Sequence, residues 1–93
     1  MKGIDLVAQE REEQINKHGF TLEDDSFHRN NELIKAALFC LNDEVFEFPF
    51  HWNVSYRNRI LRKNRIGRLT TAAAYIVAQL DQELLKIGKY KQE

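Results

Sequence analysis

The stretch Arg65-Ile66-Gly67-Arg68-Leu69-Thr70-Thr71-Ala72-Ala73-Ala74-Tyr75-Ile76-Val77-Ala78-Gln79-Leu80-Asp81-Gln82-Glu83-Leu84-Leu85-Lys86-Ile87 decides the fold. Ile66, Leu69, Ala73, Ile76, Leu80, Leu84 and Ile87 recur at three- and four-residue spacing, the period of one face of a helix. Proline is absent from the run, and Ala72-Ala73-Ala74 lets a second helix come close. Gly88 stands where such a helix stops, because glycine accepts the left-handed conformation that ends it. The remaining segments read as what packs around this helix.

Upstream, Ile4 to Lys17 reads as a first helix, with Ile4, Val7, Ala8, Arg11 (through its stem) and Ile15 on one stripe. Gly19 after His18 is its stop. Asn31 to Leu41 reads as a second helix, capped by Asn30 or Asn31 and carrying Leu33, Ile34, Ala37, Leu38 and Leu41 on a broad apolar face. The polar connector at 19–30 holds Phe20, Leu22 and Phe27, which favour its packing down. Residues 42–56 are aromatic, and Pro49 disfavours a helix through them. Phe46, Phe48, Phe50 and Trp52 alternate with strand period, so this segment reads as an extended loop, or as a strand contact between copies. A short basic helix after Ser55, broken at Asn64, leads into the long one. The expectation is an all-α fold: a small helical bundle of three main helices with a long aromatic loop. It forms one helical domain over residues 1–93 and completes its core as a homo-oligomer.

Composition narrows the class. Hydrophobic residues at 43% and charged residues at 30% exclude wholesale disorder. The single cysteine excludes an internal disulfide and, with no apolar signal core near Met1, fits a cytoplasmic protein. No apolar run approaches the roughly 20 residues of a membrane span, so no membrane partner is expected. The net charge of zero conceals a division: residues 1–50 hold 11 acidic and 5 basic side chains, the rest 3 acidic and 9 basic. Zero net charge also weighs against nucleic acid as a partner.

The two charged halves suit two chemistries. Glu10 and Glu13, the connector's Glu23, Asp24 and Asp25, and Glu32 could supply the hard oxygen ligands of Mg²⁺. Arg62, Lys63, Arg65 and Arg68, in a block that also holds Arg57 and Arg59, suit phosphate, since guanidinium groups bind it bidentately. Trp52 and Tyr56 could stack on a base. Plainer readings stand beside these: helix caps, a solvated cationic face and core aromatics. His18, His28, His51 and Cys40 show no zinc spacing, and Cys40 among Ala37, Leu38 and Leu41 reads as a buried thiol. No phosphate-binding loop is present.

The run from Ala8 to Asp25, AQEREEQINKHGFTLEDD, resembles the opening of a group of small phage and bacterial proteins, which begin E-R-x-x-Q-I and continue to T-x-E-x-D. Asn31 to Ala37 resembles their E-L-x-x-A-A helix, and Leu69 to Leu80 their alanine-rich last helix. The group is MazG-like, or dATP/dGTP diphosphohydrolase-like. The resemblance implies an all-α, oligomeric, Mg²⁺-dependent enzyme that splits a nucleoside triphosphate into monophosphate and pyrophosphate. The E-E-x-x-E and E-x-x-D pairs of MazG-type enzymes have no counterpart on the helices here. Asp43-Glu44-Val45-Phe46-Glu47 lies beside Pro49, and Ala78 stands three residues before Asp81. A catalytic set then falls to Glu13 and Glu32, with Glu10, Asp24 and Asp25 as metal ligands. A non-catalytic nucleotide binder, and an interaction or inhibitor protein docking on a protein partner, are the alternatives.

Overall fold

The computed structural model describes residues 1–18, 32–42, 48, 49, 52 and 54–88. Those residues form four helices and no strand: α1 (Gly3–His18), α2 (Glu32–Asn42), α3 (Val54–Leu61) and α4 (Arg65–Lys86). None of these helices is long and apolar enough to cross a membrane. The expected caps Asn30 and Asn31, the polar connector and most of the aromatic loop lie outside the described residues.

The long helix is the organiser: α2 packs along α4 most extensively, α1 packs on it as well, and α3 touches it only slightly. The break at Asn64 is a helix cap. The Asn64 side-chain oxygen accepts a 2.9 Å hydrogen bond from the Gly67 N–H, satisfying a donor that the first turn of α4 leaves free. A Cβ on Gly67 would stand 3.1 Å from the Lys63 Cβ, so glycine lets the α3–α4 turn fold back tightly. At the far end Gly88 adopts φ +70°, the left-handed geometry expected of a helix stop.

Leu33, Phe39 and Cys40 of α2, Ile60 of α3, Tyr75 of α4 and the interposed Phe48 and Trp52 make the core. Small residues on both helices (Ala36, Ala37, Ala72, Ala78) keep α2 and α4 close. An aromatic chain fills what remains. Phe39 meets Phe48 edge-on at 5.3 Å, Phe48 meets Trp52 at 5.8 Å, and Trp52 leans on Tyr75 at 5.7 Å. The Trp52 indole N–H donates a 2.7 Å hydrogen bond to the buried Glu32 carboxylate. The aromatic loop thus contributes to the interior at Phe48 and Trp52.

Periodicity placed the helices but not their inward faces. In α4 the residues turned to the core are Thr71, Ala72, Ala74, Tyr75, Ala78 and Gln82. The aliphatic stripe lies on the opposite side, with Ile66 65%, Leu80 55% and Ile87 67% exposed. In α1 the expected stripe holds only in part: Arg11 is buried and Val7 half-buried, but Ile4 and Ile15 are exposed and Gln14 is buried instead. On α2 the apolar face is narrower than its sequence suggests, for Leu38 and Leu41 are exposed. The reason is steric. Alanines with one tyrosine fit against an aromatic-filled α2, whereas branched aliphatics on that side of α4 would hold the helices apart.

Cys40 is buried, as expected of a structural thiol, and burial pushes its pKa from 9.0 up to about 12, against the weaker pull of Lys63 and Arg68. Almost no thiolate then exists at neutral pH. Alkylation by iodoacetamide near pH 8 is expected to follow global unfolding, becoming rapid only as urea denatures the chain. Rapid labelling of the folded protein would contradict this burial.

Candidate functional site

Helix α1 lies with its polar side on the α3–α4 junction, and this brings the two charged halves of the sequence together. The Glu10 carboxylate stands 3.6 Å from the Lys63 ammonium. One helical turn further along α1, the Gln14 side chain is only 1% exposed, yet neither its amide nitrogen nor its oxygen has a hydrogen-bond partner among the described residues. The buried Thr71 hydroxyl of α4 is likewise without a partner there. Leaving one such group unsatisfied costs about 1–3 kcal/mol. Gln14 and Thr71 border a cavity of about 20 Å³, together with Glu10, Lys63, Arg59 and Tyr56. That space admits one water molecule.

Aromatic groups close the rest of the cavity. Tyr75 lines it from α4, a phenol that is protonated at neutral pH and whose pKa burial raises further above its ordinary value. The Arg59 guanidinium lies 5.7 Å from the centre of the Tyr56 ring, one turn away on α3. Cations, a protonated phenol, an amide and a hydroxyl surround one small space with a carboxylate at its rim. Apart from Glu10, these groups can all donate hydrogen bonds, which suits an oxyanion.

A second polar junction joins the same helices. The largely buried Arg11 holds the Asp81 carboxylate at 3.8 Å, where burial raises the Asp81 pKa more than Arg11 lowers it. This pair ties α1 to the C-terminal half of α4.

Comparison with protein-family models, curated proteins and solved structures finds no match.

The residues singled out in the sequence fall in different places. Glu10, Lys63 and Tyr56 border the cavity. Glu13 is exposed on α1, beside a wider hollow of about 270 Å³ whose described lining adds Gln9, Glu12 and Asn16. The smaller cavity is the candidate site, because the buried groups without a hydrogen-bond partner among the described residues converge there, whereas the described lining of the wider hollow is exposed. Glu32 is buried and holds the Trp52 indole. Both belong to the core, and Trp52 could stack on a base only by leaving Phe48, Tyr75 and Glu32. Arg62 and Arg65 are exposed at the α3–α4 turn. Arg68 donates to the Lys63 and Leu61 carbonyls, each at 3.2 Å, and so satisfies the end of α3. Asp24 and Asp25 lie outside the described residues. Among the described residues no group of three His, Cys, Asp or Glu side chains converges to hold a metal ion.

Gln14, Thr71 and Tyr75 went unnoticed in the sequence. Gln14 is one polar residue among many on α1, and only the packing of α1 on α4 distinguishes it.

Proposed function

We propose that this chain is a nucleotide-handling protein that takes the phosphate end of a nucleotide between α1 and the α3–α4 turn. The supporting observation is the Glu10–Lys63 pair at 3.6 Å beside the buried Gln14 amide, which has no hydrogen-bond partner among the described residues. In the free protein Glu10 occupies Lys63. An arriving phosphate exchanges for that carboxylate, and its oxygens accept hydrogen bonds from Gln14 Nε2 and the Thr71 hydroxyl. The exposed Arg62 and Arg65 supply further positive charge at the entrance. The cavity must widen as Lys63 swings away, since it now holds only about 20 Å³.

The resemblance to MazG-like proteins extends this reading to a Mg²⁺-dependent nucleoside triphosphate pyrophosphohydrolase. Of the carboxylates expected to bind Mg²⁺, Glu10 is the one at the cavity among the described residues, and it is paired to Lys63. That arrangement supports phosphate binding better than a metal cage. Binding without turnover is the leading form.

Thermal unfolding with a panel of ribo- and deoxynucleoside triphosphates, with and without Mg²⁺, tests the proposal. A ligand at 100 times its Kd is expected to add about 2.7 kcal/mol of apparent stability, and Lys63→Ala is expected to remove most of that gain. The absence of any shift across the panel overturns the reading. Release of pyrophosphate by the same mixtures separates an enzyme from a binder.

A second reading, an interaction protein without activity, is favoured by the exposed aliphatic side of α4. It is supported if nucleotides shift nothing and a specific macromolecule is captured through that surface.

A further inference from the structure

The cations at the α3–α4 junction divide between inward and outward use. Glu10 takes Lys63 at 3.6 Å, and the Lys63 and Leu61 carbonyls take Arg68. Arg59, Arg62 and Arg65 follow one another at three-residue spacing, and all are exposed. The Arg62 N–H donates to the Arg59 carbonyl at 3.2 Å, so the last turn of α3 runs on through Arg62 and sets both arginines on one side. Arg65 opens α4 just beyond the turn. Among the described residues no ion pair joins Arg62 or Arg65 to an acid. The sequence itself holds no acidic residue between Glu47 and Asp81. Acids of the described helices are engaged or placed elsewhere: Glu32 on Trp52, Asp81 on Arg11, Glu83 on Lys86, and Glu12 and Glu13 around the hollow on α1. The net charge of zero is therefore an average over separate surfaces, and this ridge is locally cationic.

We propose that the ridge formed by Arg59, Arg62 and Arg65 binds the phosphate backbone of a single-stranded nucleic acid. Guanidinium groups hold phosphate oxygens bidentately and do not lose their charge. Three of them at regular spacing, with no acid between, match an evenly charged polymer, whereas a folded protein surface mixes the two signs. Helix α3 has 8 residues and is about 12 Å long, enough for about three or four phosphates at about 3.4 Å each along one strand. A duplex would have to be held from both sides of a groove about 12 Å wide, and the ridge offers one side. Backbone contacts touch no base edge, so the ridge reads charge and not sequence. This inference does not rest on the nucleotide reading, because the strand's internal phosphates lie along the ridge and none enters the cavity.

Fluorescence anisotropy of a short oligothymidylate, labelled at its 3′ end and carrying a 5′-hydroxyl, tests it with no nucleotide present. Lacking a terminal phosphate, this probe reads the ridge apart from the cavity. A Kd of about 10⁻⁴–10⁻⁶ M is expected, as for sequence-independent binding. With three phosphate contacts, each adding about −0.7 to the slope of log affinity against log salt, affinity should fall about 20-fold between about 50 and about 200 mM salt. Arg62→Gln and Arg65→Gln are each expected to weaken binding several-fold and to flatten the slope by about 0.7, with unchanged helical circular dichroism because both positions are exposed. Lys86→Gln removes the same charge at the far end of α4 and is expected to change neither. A probe that does not bind at the lowest salt and high micromolar protein overturns the proposal, as does binding that survives Arg62→Gln with Arg65→Gln undiminished. Displacement by polyglutamate as effective as by unlabelled strand also overturns it, in favour of an acidic protein. Equally tight binding of a duplex of the same length overturns the choice of a single strand.

Discussion

Replacing Trp52 by alanine is expected to remove about 3–5 kcal/mol of stability, the usual cost of deleting a large buried ring. A domain of this size has little more than that to lose. The variant should be largely unfolded at room temperature or melt tens of degrees earlier, as read by far-ultraviolet circular dichroism. Two losses combine. Phe48 and Tyr75 each lose a ring neighbour, and the Glu32 carboxylate loses the indole N–H that donates to it at 2.7 Å. Trp52→Phe separates them: it keeps most of the ring and removes the donor, and is expected to cost about 1–3 kcal/mol. Adding Glu32→Gln to Trp52→Phe should recover part of that loss, because a neutral amide is cheaper to bury than a carboxylate short of one partner. A cost below about 1 kcal/mol for Trp52→Ala would show that the aromatic chain is not the core.

Gln14→Leu is expected to act in the opposite direction on stability. The side chain is almost fully buried and its amide has no hydrogen-bond partner among the described residues. A leucine of similar size removes the unsatisfied donor and acceptor, and a gain of about 1–3 kcal/mol in urea denaturation should follow. The same variant is expected to lose the stabilisation by nucleotide described above, since Gln14 Nε2 is one of the proposed phosphate donors. Higher stability with lost binding is the signature of a residue kept for a ligand. A variant that is less stable than wild type would instead mean that Gln14 is satisfied in the folded protein, by a fixed water or otherwise.

Much of the secondary structure was legible in the sequence. The ends of α4 could be read because Asn64 and Gly88 have local jobs, a cap and a left-handed stop, that depend on a few neighbouring atoms. Helix existence could be read from three-four spacing for the same reason. Which face turns inward could not. That choice depends on what the opposing element offers, and α2 with its aromatic neighbours accepts alanine and Tyr75 in preference to Ile76 and Leu80. The site divides in the same way. Acid on α1 and base before α4 are properties of composition, so Glu10 and Lys63 stood out. Gln14 and Thr71 acquire meaning only where two helices distant in sequence enclose them, and no local pattern marks such a pair. Glu32 and Trp52 carried the right chemistry for a site, but their mutual hydrogen bond places them in the core.

The Arg11–Asp81 pair also has a consequence in time. Helix α1 leaves the ribosome before the helix it docks on, with some 70 positions separating the paired residues. At roughly 5–20 residues per second, α1 waits between about 4 and about 14 seconds for its docking surface to be synthesised. During that interval its acidic, strongly hydrated character keeps the nascent segment from sticking to other chains. The polarity of α1 that completes the site in the finished protein thus also protects the chain while it is being built.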